Sequence, residues 1–354
     1  MRRALELGSG AKGKTFPNPA VGAVIVNAYG KIVGEGATGV CGGLHAEKTA
    51  LRKAKEAARG SALYVTLEPC SHFGRTPPCT DEIIKSGIKR VVIAVKDPNS
   101  LVSGAGIRQL KSHGITVQLG LLKDEASLIN EDFFWAITKK RPWVTLKLAM
   151  TIDGRIADER NESKWITSEQ SRRFVQELRR RHSAVAVGKN TLLRDDPKLT
   201  ARCGRKTYFP ARVVFSSDKN IPQNSYFFTN SHEARSIIVV RNSKKQYIER
   251  AGNIEYWHTA SPQYKESIAE FLDMAYTEEL TGIFLEGGQQ LASGFLENGF
   301  VNKVYLFYGN KILGGGSQGL LFSKGLPISD CLSLDKISHH SLGEDFLVSG
   351  YINS

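Results

Sequence analysis

The 354-residue sequence lacks the features that would place it outside the soluble globular proteins. No apolar run approaches the roughly 18 residues that a membrane-spanning helix requires, and no segment resembles a signal peptide. The five cysteines are too few and too unevenly spaced for a disulfide framework. The G-x-G-x-x-G fingerprint of a Rossmann unit is also missing. We therefore expect a cytoplasmic protein of about two domains with no membrane partner, in which Cys41, Cys203 and Cys331 are free thiols.

The sequence has fewer acidic than basic side chains, with 35 Asp and Glu, 48 Lys and Arg and a net charge of +13. A basic surface is typical of proteins that bind nucleic acid, because phosphate contacts dominate their affinity. Here the basic residues are scattered with acids among them, as at Arg52, Lys53, Lys55 and Glu56, and this pattern indicates a solvated helix face. We therefore expect no nucleic-acid partner.

Three metal-ligand candidates and one acid/base candidate lie between Leu44 and Cys79. The imidazole of His45 and the thiolates of Cys70 and Cys79 can fill three corners of a tetrahedral Zn²⁺ site, and the open corner suits a water molecule that the metal activates. Glu47 is too close to His45 to pair with it as a ligand, so it is better placed to shuttle protons.

H-x-E followed by P-C and a second cysteine is the signature of zinc-dependent nucleobase deaminases, in which the glutamate is the general acid/base. The competing interpretation makes His45 a helix-start residue and the two cysteines small core residues. That interpretation requires the H-A-E motif and the cysteine pair to coincide by chance.

Eight residues separate the two cysteines, where most deaminases of this class have two. The stretch resembles the deaminase half of the bifunctional riboflavin-biosynthesis deaminase/reductase family, whose fingerprint contains N-P-x-V-G, H-A-E and E-P-C-S-H-x-G-[RK]-T-P-P-C. These motifs occupy residues 18–22, 45–47 and 68–79. The resemblance implies that Asn18 contacts the substrate, whereas by residue type alone it is a turn asparagine between two prolines.

His72 and Arg75 belong to the loop between the two cysteines. We expect both to bind the phosphate or the sugar of a substrate, and Arg75 suits phosphate better because a guanidinium fork fits its oxygens bidentately. The alternative for both residues is a solvent-exposed loop without a ligand.

The hydrophobic pattern of the first half alternates between strands and helices. It predicts strands at residues 21–26, 31–36, 62–67, 91–95 and 115–119, and helices at 1–10, 45–59, from 79, at 107–113 and at 125–139. Both ligand-bearing helices would direct their N-termini at the metal, where the partial positive charge stabilises thiolates. The resemblance implies a cytidine-deaminase-like three-layer α/β/α domain over residues 1–141.

Residues 142–354 are expected to form a second α/β domain, because parts of it resemble the reductase half of the same family, which has a dihydrofolate-reductase-like fold. The similar pieces are L-K-L-A-M-T-I-D-G-R from Leu146, S-K-W-I-T-S from Ser163, and the run from Gly188 to Arg202. The resemblance implies substrate contacts at Ser163, Arg179, Leu199, Arg202 and Glu286. It implies NADPH contacts at Ala149, Trp165, Thr191, Asp195, Gly288, Gln289, Gln290, Leu291, Ala292, Ser293 and Gly294. Taken singly, Trp165 can also be a core aromatic and Arg179 part of a solvated helix end.

The local pattern near Glu286 independently favours a phosphate site. The apolar residues 283–285 predict a strand, which runs through Glu286-Gly287-Gly288 into a predicted helix. At such a helix start, free backbone amides can receive a phosphate group. Farther upstream, Ser168 is the predicted N-cap of a helix over residues 169–181.

We interpret the chain as an enzyme for two consecutive steps of riboflavin synthesis. The resemblance implies zinc-dependent hydrolytic deamination of a diaminopyrimidinone ribosylamine 5′-phosphate, followed by NADPH-dependent reduction of the ribosyl group to ribityl. It also implies that the partners are small phosphorylated pyrimidines. We expect a homo-oligomer, dimer or tetramer, because dimers are the commonest state for such folds. Two alternatives stay open: a nucleic-acid-editing deaminase with an RNA-binding second half, and an enzyme with one inactive half.

Overall fold

The computed structural model describes residues 1–71, 73, 77–99, 103–241 and 243–353. The chain divides into two compact units, Met1–Lys140 and Arg141–Ser354. This division lies one residue from the boundary predicted between Arg141 and Pro142.

The first unit contains six α-helices, one 3₁₀ turn and five strands in its described part. In chain order they are α1 Arg2–Ala11, β1 Gly22–Val26, β2 Ile32–Ala37, α2 Ala46–Ala54, a 3₁₀ turn Lys55–Ala58, β3 Ala62–Leu67, α3 Cys79–Lys85, β4 Arg90–Val95, α4 Ala105–Ser112, β5 Thr116–Leu119, α5 Lys123–Ile129 and α6 Glu131–Lys139. The strands form one sheet in the order β2-β1-β3-β4-β5.

Helices cover both faces of this sheet. Gly22 of β1 faces α1, because a Cβ built on it would lie 1.8 Å from the carbonyl oxygen of Ala4. The adjacent positions turn the other way, and Gly36 of β2, which pairs with Ala23, would meet the carbonyl oxygen of Ala46 in α2 at 2.1 Å. Only glycine permits such close approaches of helix to strand. The result is a three-layer α/β/α domain, as predicted.

The helices differ from the prediction in two places. The helix predicted over residues 45–59 ends as an α-helix at Ala54, because the backbone of Lys55 leaves the helical region with a positive φ of 49°. The helix predicted over residues 125–139 is two helices separated at Asn130. The side chain of Asn130 is tied to the backbone of Ala20, whose N–H donates to Oδ1 at 2.8 Å and whose carbonyl accepts from Nδ2 at 2.9 Å. Its backbone leaves the helical region at φ −123° and ψ 27°.

A buried ion pair reinforces the same connection between the start and the end of the first unit. Nζ of Lys12, just after α1, lies 2.5 Å from Oδ1 of Asp132 in α6, and both side chains are over nine-tenths buried. Residues that are 110 and 120 positions apart in sequence are therefore joined at the N-cap and the first turn of α6.

The second unit contains more strands than the first in its described part. In chain order its elements are β6 Trp143–Thr151, β7 Arg155–Ala157, α7 Glu169–Arg180, β8 Ala184–Gly188, α8 Lys189–Asp195, β9 Ala201–Cys203, β10 Lys206–Tyr208, β11 Ala211–Ser216, α9 Tyr226–Thr229, β12 Ser236–Val240, β13 Tyr247–Ala251, β14 Ile254–His258, α10 Tyr264–Thr277, β15 Gly282–Leu285, α11 Gln289–Glu297, β16 Lys303–Gly309, β17 Ser317–Gln318, a 3₁₀ turn Ile328–Asp330, β18 Leu334–Leu342 and β19 Asp345–Ile352. The predicted N-cap of α7 is confirmed, because the N–H of Ser171 donates to Oγ of Ser168 at 3.3 Å.

Ten strands of this unit form one sheet, in the order β13-β14-β12-β11-β8-β15-β6-β16-β19-β18. The seven strands from β14 to β16 are parallel, and antiparallel strands flank them on both sides. Alternate residues of the central strands enter separate apolar clusters, as Val144 and Leu146 do on one side and Val185 and Phe284 on the other. Because both faces of this sheet are buried, a ligand is expected to bind in the crevice at the carboxyl ends of the parallel strands.

Across the described residues, every helix is too short or too polar to cross a lipid bilayer.

Candidate active sites

The structure brings His45, Cys70 and Cys79 together in the first unit. His45 is the N-cap of α2, Cys79 is the first residue of α3, and Cys70 follows β3 and Pro69. Their ligand atoms all lie within 4.8 Å of one another. The two ligand-bearing helices therefore direct their N-termini at one point, as the sequence predicted.

The separations of these atoms fit a tetrahedral zinc site. Nδ1 of His45 lies 3.2 Å from Sγ of Cys79 and 3.6 Å from Sγ of Cys70. Zinc bonds of ordinary length place a nitrogen and a sulfur ligand about 3.6 Å apart across a tetrahedral angle. One imidazole and two thiols are also the donor types that zinc prefers.

Hydrogen bonds within the cluster favour one thiolate. The hydrogen bond between the Cys70 and Cys79 side chains, together with the hydrogen bond to His45, lowers the pKa of Cys70 to about 4, although burial alone would raise it. The same bond to Cys70, together with burial, raises the pKa of Cys79. The N–H of Cys79 at the start of α3 also donates to Sγ of Cys70 at 3.3 Å. Cys70 is therefore prepared as an anionic ligand, and a bound cation would displace the proton of Cys79.

Glu47 lies in the first turn of α2 and is only 4% exposed. Burial, and then the negative charge of Cys70, raise the pKa of its carboxyl group to about 7. A bound divalent cation would act in the opposite direction. A carboxyl group in this range can both take up and release a proton near neutral pH, which suits a shuttle.

Sequence reasoning missed the side chains that support the cysteine loop. Glu68 is buried, and its carboxylate accepts hydrogen bonds from the N–H groups of Asp97, Gly104 and Ile107, which fixes the chain two residues before Cys70. Thr80 is fully buried beside Cys79, and its hydroxyl donates to Oε1 of Gln109 at 2.7 Å. The only sequence signal for these roles was the polar character of residues at positions that the structure buries.

The predicted substrate contacts of the first unit are placed only in part. Asn18 is half-buried in the turn before β1, and its N–H donates to the carbonyl of Thr15 at 2.8 Å. The Ala20–Asn130 bonds hold the chain two residues farther on. His72 and Arg75 lie outside the described residues.

The second unit contains a cavity of about 1010 Å³ at the carboxyl ends of its parallel strands. Its wall includes thirteen of the residues named from the sequence. They are Ala149, Ser163, Trp165, Arg179, Thr191, Asp195, Leu199, Arg202, Glu286, Gly288, Gln289, Gln290 and Leu291.

Three other predicted cofactor residues, Ala292, Ser293 and Gly294, are not part of this wall. They lie one turn farther along α11 and are buried. Oγ of Ser293 accepts a hydrogen bond from the N–H of Leu321 at 2.9 Å, and a Cβ at Gly294 would lie 2.0 Å from the ring of Tyr264. These positions pack α11 against its neighbours, and their contact with the cofactor stays a prediction.

A buried ion pair lies in one part of the cavity. Arg179 of α7 and Glu286 after β15 form two parallel hydrogen bonds of 2.5 and 2.9 Å, and the side chains are 13% and 11% exposed. Burial alone would raise the pKa of Glu286, but the charge and hydrogen bonds of Arg179 lower it overall. Arg179 also donates to the carbonyl of Thr200 at 3.0 Å.

Lys147 of β6 lines the cavity beside this pair and was not singled out from the sequence. Burial, followed by the charge of Arg179, lowers the pKa of its amine, although Glu286 acts against this. A lysine with a lowered pKa in a cleft is a candidate acid. Its signal in the sequence was that it is the single charged residue of the strand β6.

The helix α11 begins at the cavity as the sequence predicted. Gly288 is its N-cap, with no side-chain capping bond, and an added Cβ there would meet only Oγ1 of Thr191 at 3.8 Å. The first amides of the helix are thus open to an anion. Trp165 is 59% exposed at the wall and lies 4.3 Å from the guanidinium of Arg172, while Lys164 forms a 3.0 Å ion pair with Asp195.

Comparisons with known proteins agree with both sites. Residues 142–348 match the family model described as RibD C-terminal domain, and residues 1–95 match the cytidine and deoxycytidylate deaminase zinc-binding region. The chain is 42% identical to the riboflavin biosynthesis protein RibD of Aquifex aeolicus over 98% of this chain and 96% of that one. The corresponding protein of Escherichia coli is 36% identical, with 92% and 91% covered.

Two solved structures are similar over the whole chain. RibD of Acinetobacter baumannii superposes with a TM-score of 0.87 at 30% identity, covering 100% of this chain and 98% of that one. A diaminohydroxyphosphoribosylaminopyrimidine deaminase/5-amino-6-(5-phosphoribosylamino)uracil reductase from Thermotoga maritima superposes with a TM-score of 0.85 at 38% identity, covering 100% and 97%.

Proposed function

The chain belongs to the RibD family of riboflavin-biosynthesis enzymes, and from this premise we propose that the two sites described above carry its two reactions. It is a bifunctional enzyme with a zinc-binding deaminase domain and an NADPH-dependent reductase domain. The alternative of an editing deaminase with an RNA-binding second half is not favoured, because residues 142–348 match the RibD C-terminal domain. We assign the functional boundary to residues 141 and 142, next to the division between the compact units.

In the first site we assign His45, Cys70 and Cys79 as the zinc ligands. The zinc ion, when bound, supplies a water molecule that is deprotonated near neutral pH. Glu47 would transfer one proton of the attacking water to a ring nitrogen of the pyrimidine and the second to the amino group, which leaves as ammonia. The carbon–nitrogen bond is thereby replaced by a carbon–oxygen bond. The observation that carries this assignment is the convergence of the three donor atoms within 4.8 Å, with buried Glu47 beside them.

Removal of one ligand tests the metal assignment. Cys79→Ser is expected to lower the zinc content from about one ion per chain to a small fraction and to abolish ammonia release, because a hydroxyl is a poor substitute for a thiolate. Metal analysis after dialysis against a weak chelator measures the first effect. Cys41→Ser, which changes an exposed thiol, is the control and should retain its zinc. Full zinc and full activity in Cys79→Ser would refute the assignment.

In the second site we propose that the substrate lies against Lys147, Arg179 and Glu286, with Ser163, Leu199 and Arg202 completing its contacts. NADPH, when bound, supplies a hydride to the anomeric carbon of the ribosylamine. The ring oxygen of the sugar leaves that carbon and needs a proton, which we assign to Lys147. The carboxylate of Glu286 holds Arg179 in place by two bonds, so the arginine presents a fixed charge to the substrate.

We place the cofactor phosphates at the start of α11, and a charge reversal tests this. Gly288→Asp fits sterically, since only Thr191 lies near the added Cβ and the backbone φ of −69° suits any residue. The added negative charge is expected to weaken NADPH binding roughly 10- to 100-fold. Titration of tryptophan fluorescence with NADPH measures the affinity. Gly325→Asp, at another open position, should bind as the wild type does, and unchanged affinity in Gly288→Asp would disprove the placement.

We also propose that the enzyme acts as a cytoplasmic homo-oligomer on small phosphorylated pyrimidines. Free thiols at Cys41, Cys203 and Cys331 are compatible with a reducing compartment. The apolar side chains of Ile337 and Phe346, 60% and 56% exposed on β18 and β19, offer a surface for a second copy. Sedimentation velocity distinguishes a monomer from a dimer or tetramer.

A further inference from the structure

The cavity wall of the second unit also includes Arg241, which was not predicted as a site residue from the sequence. Arg241 directly follows β12, and its N–H donates to the carbonyl of Ser216 at the end of β11 at 3.4 Å. The neighbouring wall contains the hydroxyl residues Ser216 and Ser217 and the apolar side chains of Val239 and Ile268. This part of the cavity thus combines a cation, hydroxyl groups and an apolar surface.

The position of Arg241 is fixed relative to α11. Its guanidinium lies 5.0 Å from the ring centroid of Tyr264, the first residue of α10. The same ring packs directly on α11, since a Cβ at Gly294 would lie 2.0 Å from it. Arg241 is therefore held beside the helix whose first amides we assign to the cofactor phosphates.

In the part of the chain that the structure describes, no acid neutralises the charge of Arg241. Three other cations of the cavity wall are paired with acids: Arg179 with Glu286, Lys164 with Asp195, and Lys189 with Asp218. Among the described residues, no carboxylate forms an ion pair with the Arg241 guanidinium. Asp218 is the first acidic residue after β11. Its carboxylate accepts hydrogen bonds from Nζ of Lys189 at 2.8 Å and from the N–H of Asn220 at 2.7 Å. A half-buried arginine that lies in a cavity wall beside serine hydroxyls is suited to bind an anionic ligand.

The chemistry of the cofactor identifies that anion. NADPH differs from NADH only by a phosphate on the 2′ oxygen of the adenosine ribose, which lies beyond the pyrophosphate. We propose that Arg241 binds this 2′-phosphate, with Ser217 as a second contact, and so sets the preference for NADPH over NADH. The proposal rests on the proposed function, which places the pyrophosphate at the start of α11.

Substitution of the arginine separates this role from a structural one. Arg241→Gln is expected to raise the KM for NADPH roughly 10- to 100-fold, because the variant loses a charge-assisted bidentate contact with the phosphate. The KM for NADH and the kcat with either cofactor should stay unchanged, because NADH has no group at this position. Adenosine 2′,5′-bisphosphate should inhibit the wild type far more strongly than adenosine 5′-monophosphate, and Arg241→Gln should lose most of this difference.

The controls and the contrary outcomes are distinct. Arg205→Gln, in the turn between β9 and β10 and outside the cavity wall, should behave as the wild type, and Arg241→Lys should retain part of the NADPH preference. An equal loss with NADPH and NADH would show that Arg241 acts on the shared part of the cofactor or on the fold, and unchanged NADPH preference would exclude any contact with the 2′-phosphate. Either result overturns the inference alone, whereas a wild type that oxidises neither cofactor contradicts the proposed function itself.

Discussion

Glu47→Gln is expected to release essentially no ammonia from the pyrimidine substrate while it continues to oxidise NADPH when supplied with the deaminated ribosylamine. Glutamine keeps the size and polarity of the buried side chain but cannot carry a proton between water and substrate. A single general acid/base is worth about 10²–10⁴ in rate, and we expect a larger loss because Glu47 serves several proton transfers in one reaction. Reduction should be nearly unchanged, because its proposed residues all belong to the other unit.

Two assays on one set of proteins test this separation: ammonia release and the loss of NADPH absorbance. The matched control is Glu56→Gln, which alters an exposed glutamate in the 3₁₀ turn after α2 and should affect neither reaction. Zinc content must equal that of the wild type, so that a lost metal is not mistaken for a lost base. If a folded, zinc-loaded Glu47→Gln loses both reactions, the two sites are not independent.

Arg179→Met is the variant with the largest expected effect on reduction and on the stability of the second unit. Removal of one partner of a buried pair leaves an uncompensated charge, which typically costs about 3–5 kcal/mol. The double variant Arg179→Met/Glu286→Leu removes both charges and should recover most of that stability, yet it should still fail to reduce the substrate. This combination separates the role of the pair in catalysis from its role in folding.

Denaturant unfolding and NADPH consumption provide the two readouts. Arg173→Met on the same helix breaks only the exposed pair with Glu169, whose side chains are 77% and 66% exposed, and should change neither quantity measurably. If Arg179→Met reduces the substrate at the wild-type rate, the pair is part of the scaffold and the proposed substrate position is wrong.

The metal cluster could be predicted from the sequence because its chemistry restricts both residue type and order. Few arrangements other than a zinc site explain a histidine and a cysteine at two helix starts, a glutamate two positions after the histidine and a second cysteine after a strand. Glu68 and Lys147 could not be identified in the same way, since their roles depend on what surrounds them. Glu68 is a support only because the amides of Asp97, Gly104 and Ile107 converge on it.

The limits of the α11 prediction have a comparable cause. The pattern of strand, glycines and helix correctly predicted that a helix begins after Gly288, but it contained no information on where the helix turns away from the cavity. Tyr264 of α10 decides this by packing on Gly294. The division at Asn130 likewise depends on Ala20, which is 110 positions away in sequence. Such long-range partners cannot be deduced from local periodicity.

The joining of α6 to the beginning of the chain bears on how this protein is synthesised. All five strands of the first sheet have been translated once Leu119 is complete. At that stage Lys12 and Ala20 still lack the partners that Asp132 and Asn130 provide. A nascent chain can therefore form its sheet early, but it cannot fix the segment that carries Asn18 until α6 has left the ribosome. The start of the reductase sequence follows directly, so the deaminase unit becomes complete only while synthesis of the second enzyme is already under way.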